Sequence, residues 1–183
     1  MTGDALFSAP SIHASAVLVG ATALLIRGAS GIGKSRLVLD ILQASNAGAG
    51  ASPGALPFAR LVADDRCQLA ARHGRLLVRP PPILAGLIES RGLGLLRMDY
   101  EPLAQVGAAI DLDTAAERLP DAAAHEVLME GVRLPRYAVA PGTAALALVR
   151  SIFLDHSNLS GKSNFPGESN LPEWAADRWR KQV

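Results

Sequence analysis

The chain has 183 residues, 49% of them apolar, which suits one compact domain with a substantial core and excludes a chain that stays disordered. Its 18 basic and 17 acidic side chains nearly cancel, so the overall charge argues for no nucleic-acid and no anionic-membrane partner. The single cysteine, Cys67, excludes an intrachain disulfide and a cysteine-based zinc site, and it fits a reducing cytoplasm.

Met1 to Pro10 carries Asp4 and no basic residue ahead of a short apolar stretch, which is not the pattern of a signal peptide. The longest apolar stretches lie around Ser15–Ile26 and Ala138–Leu154. They are interrupted or bounded by Gly20, Arg27, Pro141 and Gly142, short of the roughly 20 unbroken residues that a spanning helix needs. The expectation is a soluble cytoplasmic protein with no membrane partner.

In chain order, Ala16–Val19 and Ala23–Arg27 are predicted strands, joined by a turn at Gly20-Ala21-Thr22. A glycine-rich loop follows at once. A helix is then expected from about Ser35 to Gln43, where Leu37, Val38, Ile41 and Leu42 recur at helical spacing. Ala44 to Pro57 is rich in Ala, Gly, Ser and Pro and predicts an exposed loop. Arg60–Asp64 predicts a buried strand ending in acid. Arg66–Ala71 and Arg75–Val78 flank His73-Gly74 as a hairpin, which Pro80-Pro81-Pro82 stops. Leu87–Glu89 and Leu93–Met98 surround Arg91-Gly92, and Ala108–Leu112 is another strand. Asp113 to His125 is polar and alanine-rich without a clear pattern. Tyr137–Val139 is a last strand, followed by Pro141-Gly142 and a helix from about Thr143 to Leu154. The segment from Asp155 onward is polar, with Trp174 and Trp179 on a short terminal helix. The division expected is a catalytic domain over 1–154 and a linker and tail over 155–183. Strands outnumber helices, so the fold class is α/β, a mixed sheet with a helix packed behind the loop.

Gly28-Ala29-Ser30-Gly31-Ile32-Gly33-Lys34-Ser35 satisfies G-x-x-x-x-G-K-[ST], with an apolar strand before it and a helix after it. Glycines let successive N–H groups turn inward around phosphate oxygens, and the positive end of the following helix points the same way. Lys34 suits the outer phosphates, and the Ser35 hydroxyl suits an Mg²⁺ shell. This is a P-loop, and ATP with Mg²⁺ is its expected ligand. Two carboxylates, Asp64 and Asp65, follow the strand Leu61-Val62-Ala63. Phosphoryl transfer needs an acid near the metal and gains from a base near the acceptor. Neighbouring strand residues point to opposite faces, so the two need not share one task.

The loop, Leu61-Val62-Ala63-Asp64-Asp65, and Ile88-Glu89-Ser90-Arg91-Gly92-Leu93-Gly94-Leu95 occur in that order. Together they resemble the catalytic domain of HPr kinase/phosphorylase, over roughly Ile12 to Leu154. The chain looks like the short form without the family's separate N-terminal domain. The resemblance implies an ATP-dependent serine kinase acting on HPr, the phosphocarrier of the phosphotransferase system, and a homohexamer. The family's site also removes the phosphate, with inorganic phosphate as acceptor and pyrophosphate as product. Position by position, Asp65 matches the proton acceptor, His13 the upstream active-site histidine, and Lys34 the loop lysine. Ser35 and Glu89 match the magnesium ligands, and Arg118 matches a catalytic arginine. Arg91 and Arg118 suit charge on the transferred phosphoryl.

The sequence departs from the family in three places. The Ala44–Pro57 link is longer than usual, and the tail from Asp155 has no counterpart. Where the family carries a basic Arg-Pro-Gly-Arg-Asn-like stretch tied to dephosphorylation, this chain has Ala140-Pro141-Gly142-Thr143-Ala144. Phosphorolysis brings two anions together, so losing cations there predicts weak or absent phosphorylase activity. A small-molecule kinase and a non-catalytic ATP sensor are the alternatives. HPr against a metabolite panel separates the first, and any transfer at all excludes the second.

Overall fold

A computed structural model describes residues 6–47, 56–112, 125–140 and 144–157. The chain begins with β1 (Ile12–His13), β2 (Ser15–Val19), β3 (Thr22–Arg27) and α1 (Lys34–Ala47). Strands β4 (Ala59–Ala63), β5 (Arg66–Arg72), β6 (Arg75–Arg79), β7 (Leu87–Ser90) and β8 (Gly94–Arg97) follow. It continues through β9 (Ala104–Leu112), β10 (Glu126–Met129), β11 (Val132–Val139) and α2 (Ala145–Ser157).

Among the described residues, nine strands form one mixed sheet in the order β1-β5-β6-β9-β3-β2-β4, with β11 beside β9 and β10 beside β11. β3 and β11 run parallel to β9, and the remaining pairs are antiparallel. β7 and β8 make a separate hairpin.

The connections force this sheet to curl. Five inter-strand steps separate β4 from β5 in the order, and laid flat these would span about 24 Å at ~4.8 Å per step. Only Asp64 and Asp65 join β4 to β5 in the chain, a link that reaches at most about 11 Å. The two ends of the sheet therefore meet at a seam. Ala14 makes the matching short link between β1 and β2. On one side of the seam His13 pairs with Arg66 and on the other Ala16 pairs with Ala63, with a register shift between Ala16 and Val17.

The inside of the curl is packed with Ala14, Ala16, Ala23, Leu25, Val62 and Cys67, all essentially inaccessible to solvent. Small residues suit so tight a wall. The outer face carries Val17, Val19, Leu24 and Ile26 against Leu37, Val38 and Ile41 of α1 and Val149 of α2. β3 alternates between the two clusters, which explains why Ala-Leu-Leu-Ile is a continuous apolar run. Burying the Ile26 and Ile41 side chains stabilises the fold by roughly 1.5–3 kcal/mol each.

Several boundaries differ from the sequence expectation. α1 runs on to Ala47 rather than ending at Gln43. The following connection is anchored where it rejoins the fold, because Ser45 Oγ donates to Pro57 O at 2.7 Å and Leu56 is 4% exposed. β1 is too short to read from sequence, and β9 begins at Ala104 rather than Ala108. β10 was not expected, and β11 starts at Val132 rather than Tyr137. Pro135 hides that hairpin from a sequence reading, since proline inside a strand argues against one. The turn itself, Glu130-Gly131, takes left-handed φ values of 47° and 76°.

Candidate active site

The loop between β3 and α1 is shaped by glycines with positive φ: 143° at Gly28, 78° at Gly31 and 109° at Gly33. Gly28 is required twice over. A Cβ there would lie 3.0 Å from Leu112 O and 3.1 Å from Ile32 Cγ2, in a backbone conformation that side chains disfavour. Ala29, Ser30 and Gly31 form the exposed rim of the loop, while Ile32 is half-buried against the core. Leu37 N–H donates to Gly33 O at 2.9 Å and starts α1, so the first-turn amides of the helix face the loop.

Lys34 is 5% exposed and folds back on this loop. Its ammonium donates to Gly28 O at 3.0 Å, Ala29 O at 2.8 Å and His13 Nε2 at 2.8 Å. An ammonium cannot accept, so His13 Nε2 is the acceptor and the ring proton sits on Nδ1. Nδ1 in turn faces Asp65, 3.1 Å from its carbonyl oxygen and 3.2 Å from Oδ1. Burial lowers the Lys34 pKa from its ordinary value, and the charges of Asp65 and Asp64 act against that shift. Lys34, His13 and Asp65, read separately from sequence, thus form one hydrogen-bonded chain.

Asp65 owes its place to its backbone. Its φ is 64°, rare for a residue with a side chain, and it sits at the seam where β4 turns into β5. Its side chain is 62% exposed, with Arg66 Nε 3.9 Å from Oδ2. Asp64 goes the other way and is 4% exposed. Its Oδ1 accepts from Ser15 Oγ at 2.6 Å and Ser35 Oγ at 2.9 Å, and its Oδ2 accepts from Glu89 N–H at 3.1 Å. Ser35 and Glu89, the two expected magnesium ligands, are therefore joined through one carboxylate. Sequence reasoning named Asp64 without assigning it this place, and it missed Ser15. The one signal for Ser15 was a hydroxyl at the head of an apolar strand.

Arg91 lies across the loop, with its guanidinium donating to Gly31 O at 2.9 Å. A second group missed from sequence stands where β3, β9 and β11 end. Arg27 binds Asp111 in two-pronged fashion at 2.6 and 2.7 Å, and Arg136 Nε reaches the same carboxylate at 2.6 Å. Burial pulls the Asp111 pKa up, but the bonds and charges of both arginines override it and hold the carboxyl below its ordinary value. The only cue was an aspartate inside the apolar run Ala108-Ala109-Ile110-Asp111-Leu112. Arg118 and Pro141-Gly142-Thr143 lie outside the described residues.

Among the described residues no three His, Cys, Asp or Glu side chains gather into a metal cage. Mg²⁺ does not need one, because it keeps waters and phosphate oxygens in its shell and takes one or two protein ligands. A serine hydroxyl and an exposed glutamate tied to one buried carboxylate are hard oxygen donors that fit it. The glycine loop and the Lys34 ammonium fit a polyphosphate. No described helix is long and apolar enough to cross a membrane.

Fold and site together define a mixed α/β domain whose polar centre lies where a glycine-bracketed strand–helix turn meets the seam of a curled sheet. The chain belongs to the HPr serine kinase C-terminal domain family, whose model, described as HPr Serine kinase C-terminal domain, matches residues 4–101. It is 35% identical over 83 residues to the HPr kinase/phosphorylase of Mycoplasma mycoides, covering 45% of this chain and 22% of that protein. It is 28% identical over 145 residues to the HPr kinase/phosphorylase of Streptococcus thermophilus, covering 70% of this chain and 41% of that protein. The chain thus spans well under half the length of these curated relatives. In fold it is similar to the Hpr(Ser) kinase/phosphatase from Coxiella burnetii, with a TM-score of 0.63 at 19% identity. That likeness covers 82% of this chain and 97% of the other, so it reaches past residue 101, where the family match ends.

Proposed function

We propose that this chain is an ATP-dependent protein serine kinase whose acceptor is HPr, working in the cytoplasm, with catalytic residues within 1–154. The observation that carries the reading is the convergence of four separate segments. Lys34–His13–Asp65 and Ser35–Asp64–Glu89 are two hydrogen-bonded chains that start from adjacent residues of one loop. A structural turn that merely matched the loop pattern would have no need of either.

In this reading residues 28–35 hold the ATP phosphates. Lys34 exchanges its carbonyl partners for phosphate oxygens. Asp65 takes the proton of the acceptor serine as the serine oxygen bonds to the γ-phosphorus and the bond to ADP breaks. His13 orients Asp65 through Nδ1–H and links it to Lys34. Ser35 and Glu89 would hold Mg²⁺, which would supply positive charge against the nucleotide phosphates. Arg91 and Arg118 lie against charge on the transferred group. The phosphorylase direction is weak or absent, for want of arginines around Pro141-Gly142, and the assembly is a homohexamer, as the family resemblance implies.

Transfer of radiolabel from γ-labelled ATP to purified HPr tests the reading. Label should appear on HPr serine with Mg²⁺ and vanish with chelator. Label on metabolites but never on HPr would overturn the acceptor. Rapid pyrophosphate release from phospho-HPr and phosphate would overturn the one-directional assignment.

A further inference from the structure

Ser15 is out of character with its strand. On β2, residues 15, 17 and 19 share one face, and Val17 and Val19 pack in the apolar cluster beneath α1. Ser15 sits at the head of that stripe with 0% exposure. A hydroxyl buried there costs free energy unless it is bonded. Its partner is Asp64 Oδ1 at 2.6 Å.

Asp64 explains why the hydroxyl is needed. It is a buried carboxylate whose hydrogen-bond partners among the described residues are neutral donors: two hydroxyls on Oδ1 and one backbone N–H on Oδ2. A carboxylate offers about four lone-pair positions. Ser15 and Ser35 fill both of those on Oδ1, and Glu89 N–H takes one on Oδ2. The terminal rotation of an aspartate is soft, so a carboxylate holding Ser35 and Glu89 alone would swing. With Ser15 bonded from the opposite strand, the plane of the carboxylate is set from three directions.

We propose that Ser15 is a positioning residue for the metal. It locks Asp64 so that the Ser35 hydrogen points at Oδ1, leaving the Ser35 oxygen for Mg²⁺, and so that the Glu89 backbone is held alongside. Ser15 itself is sealed from nucleotide and solvent. The inference rests on the reading of the loop as an ATP–Mg²⁺ site, and its prediction is specific. Removing the hydroxyl weakens the metal dependence of nucleotide binding without weakening nucleotide binding in the absence of metal.

The test uses the full 183-residue chain with Ser15→Thr and Ser15→Val, which differ from each other by the hydroxyl and hardly in shape. ATP binding is followed by calorimetry in chelator and across a titration of magnesium chloride. Ser15→Val should need about tenfold more Mg²⁺ than Ser15→Thr for half-maximal enhancement of ATP affinity, the usual scale for losing a partner behind a metal ligand. The two variants should agree within about twofold in chelator. Equal Mg²⁺ midpoints for Thr and Val, beside a wild type that responds to Mg²⁺, overturn the role of Ser15 alone. Weaker ATP binding by Val than by Thr in chelator overturns it too, because the hydroxyl would then serve the loop as a whole. A folded wild type that binds ATP without regard to Mg²⁺ overturns the site reading and this inference with it. Ser15→Ala covers the case in which neither β-branched residue fits, with the same shift expected against wild type.

Discussion

Asp64 is 4% exposed and among the described residues accepts three hydrogen bonds, whereas the side chain of its neighbour Asp65 is 62% exposed and among them meets His13 and Arg66. The difference comes from the backbone. Asp65 takes φ 64° at the seam, and that single left-handed residue turns the chain between two strands. One carboxylate is thereby sealed among fixed donors and the other is set at the rim, where a second protein can reach it. In the proposed reading one group holds ligands still and the other exchanges a proton; these needs are opposite, and the seam offers a place for each within two residues.

The largest expected effect breaks this contrast on the wet side. Asp65→Asn keeps the shape and a partner for His13 but removes the proposed base. Phosphoryl transfer to HPr should fall by about 10²–10⁴-fold, the usual worth of a positioned base, while ATP affinity by calorimetry changes little. Undiminished transfer would mean that Asp65 is not the proton acceptor.

On the dry side the loss should appear in folding. Asp64→Ala strands the Ser15 hydroxyl and the Ser35 and Glu89 donors, each worth roughly 1–3 kcal/mol when left unsatisfied. Deleting a buried charge offsets part of that. The net destabilisation expected in urea is about 2 kcal/mol, against less than about 0.5 kcal/mol for Asp65→Asn at its exposed position. Equal losses for the two variants would erase the distinction drawn here.

The smallest effect sharpens the comparison with a third aspartate. Asp111 has a pKa held below its ordinary value by Arg27 and Arg136 against the pull of burial. Its unfolded form therefore binds a proton first as pH falls. The stabilisation is complete above the unfolded pKa of about 3.9 and is lost as pH drops through the folded value. Melting temperature measured downward from pH 5 should fall for the wild type, and less steeply for Asp111→Asn. Parallel curves would show that the arginines do not govern this carboxyl.

The glycine-rich loop was legible in sequence because its geometry is local. Glycines at 28, 31 and 33 set the turn by short-range sterics, and Ser35 to Gln43 already carried the period of the helix that follows. Most strands were legible too, since an apolar run between turn residues needs no distant information. Asp65 stood out as one of two acids closing an apolar strand, whereas His13, Glu89 and Arg118 stood out by family resemblance rather than by anything their neighbours dictate. Arg118 lies beyond the described residues, while the first two proved to be in contact. β10 escaped because Pro135 contradicts the strand it pairs with.

What only the tertiary structure decided was which side chains meet. Ser15 and Asp64 are 49 residues apart, and Arg27 and Asp111 are 84 apart. Neither pair carries a local pattern that calls for the other. Their contact follows from which strands are neighbours and from the register between them. A slip of one residue would put each of these side chains on the opposite face. Local sterics determined the loop, and the cooperative pairing of distant strands determined the company it keeps.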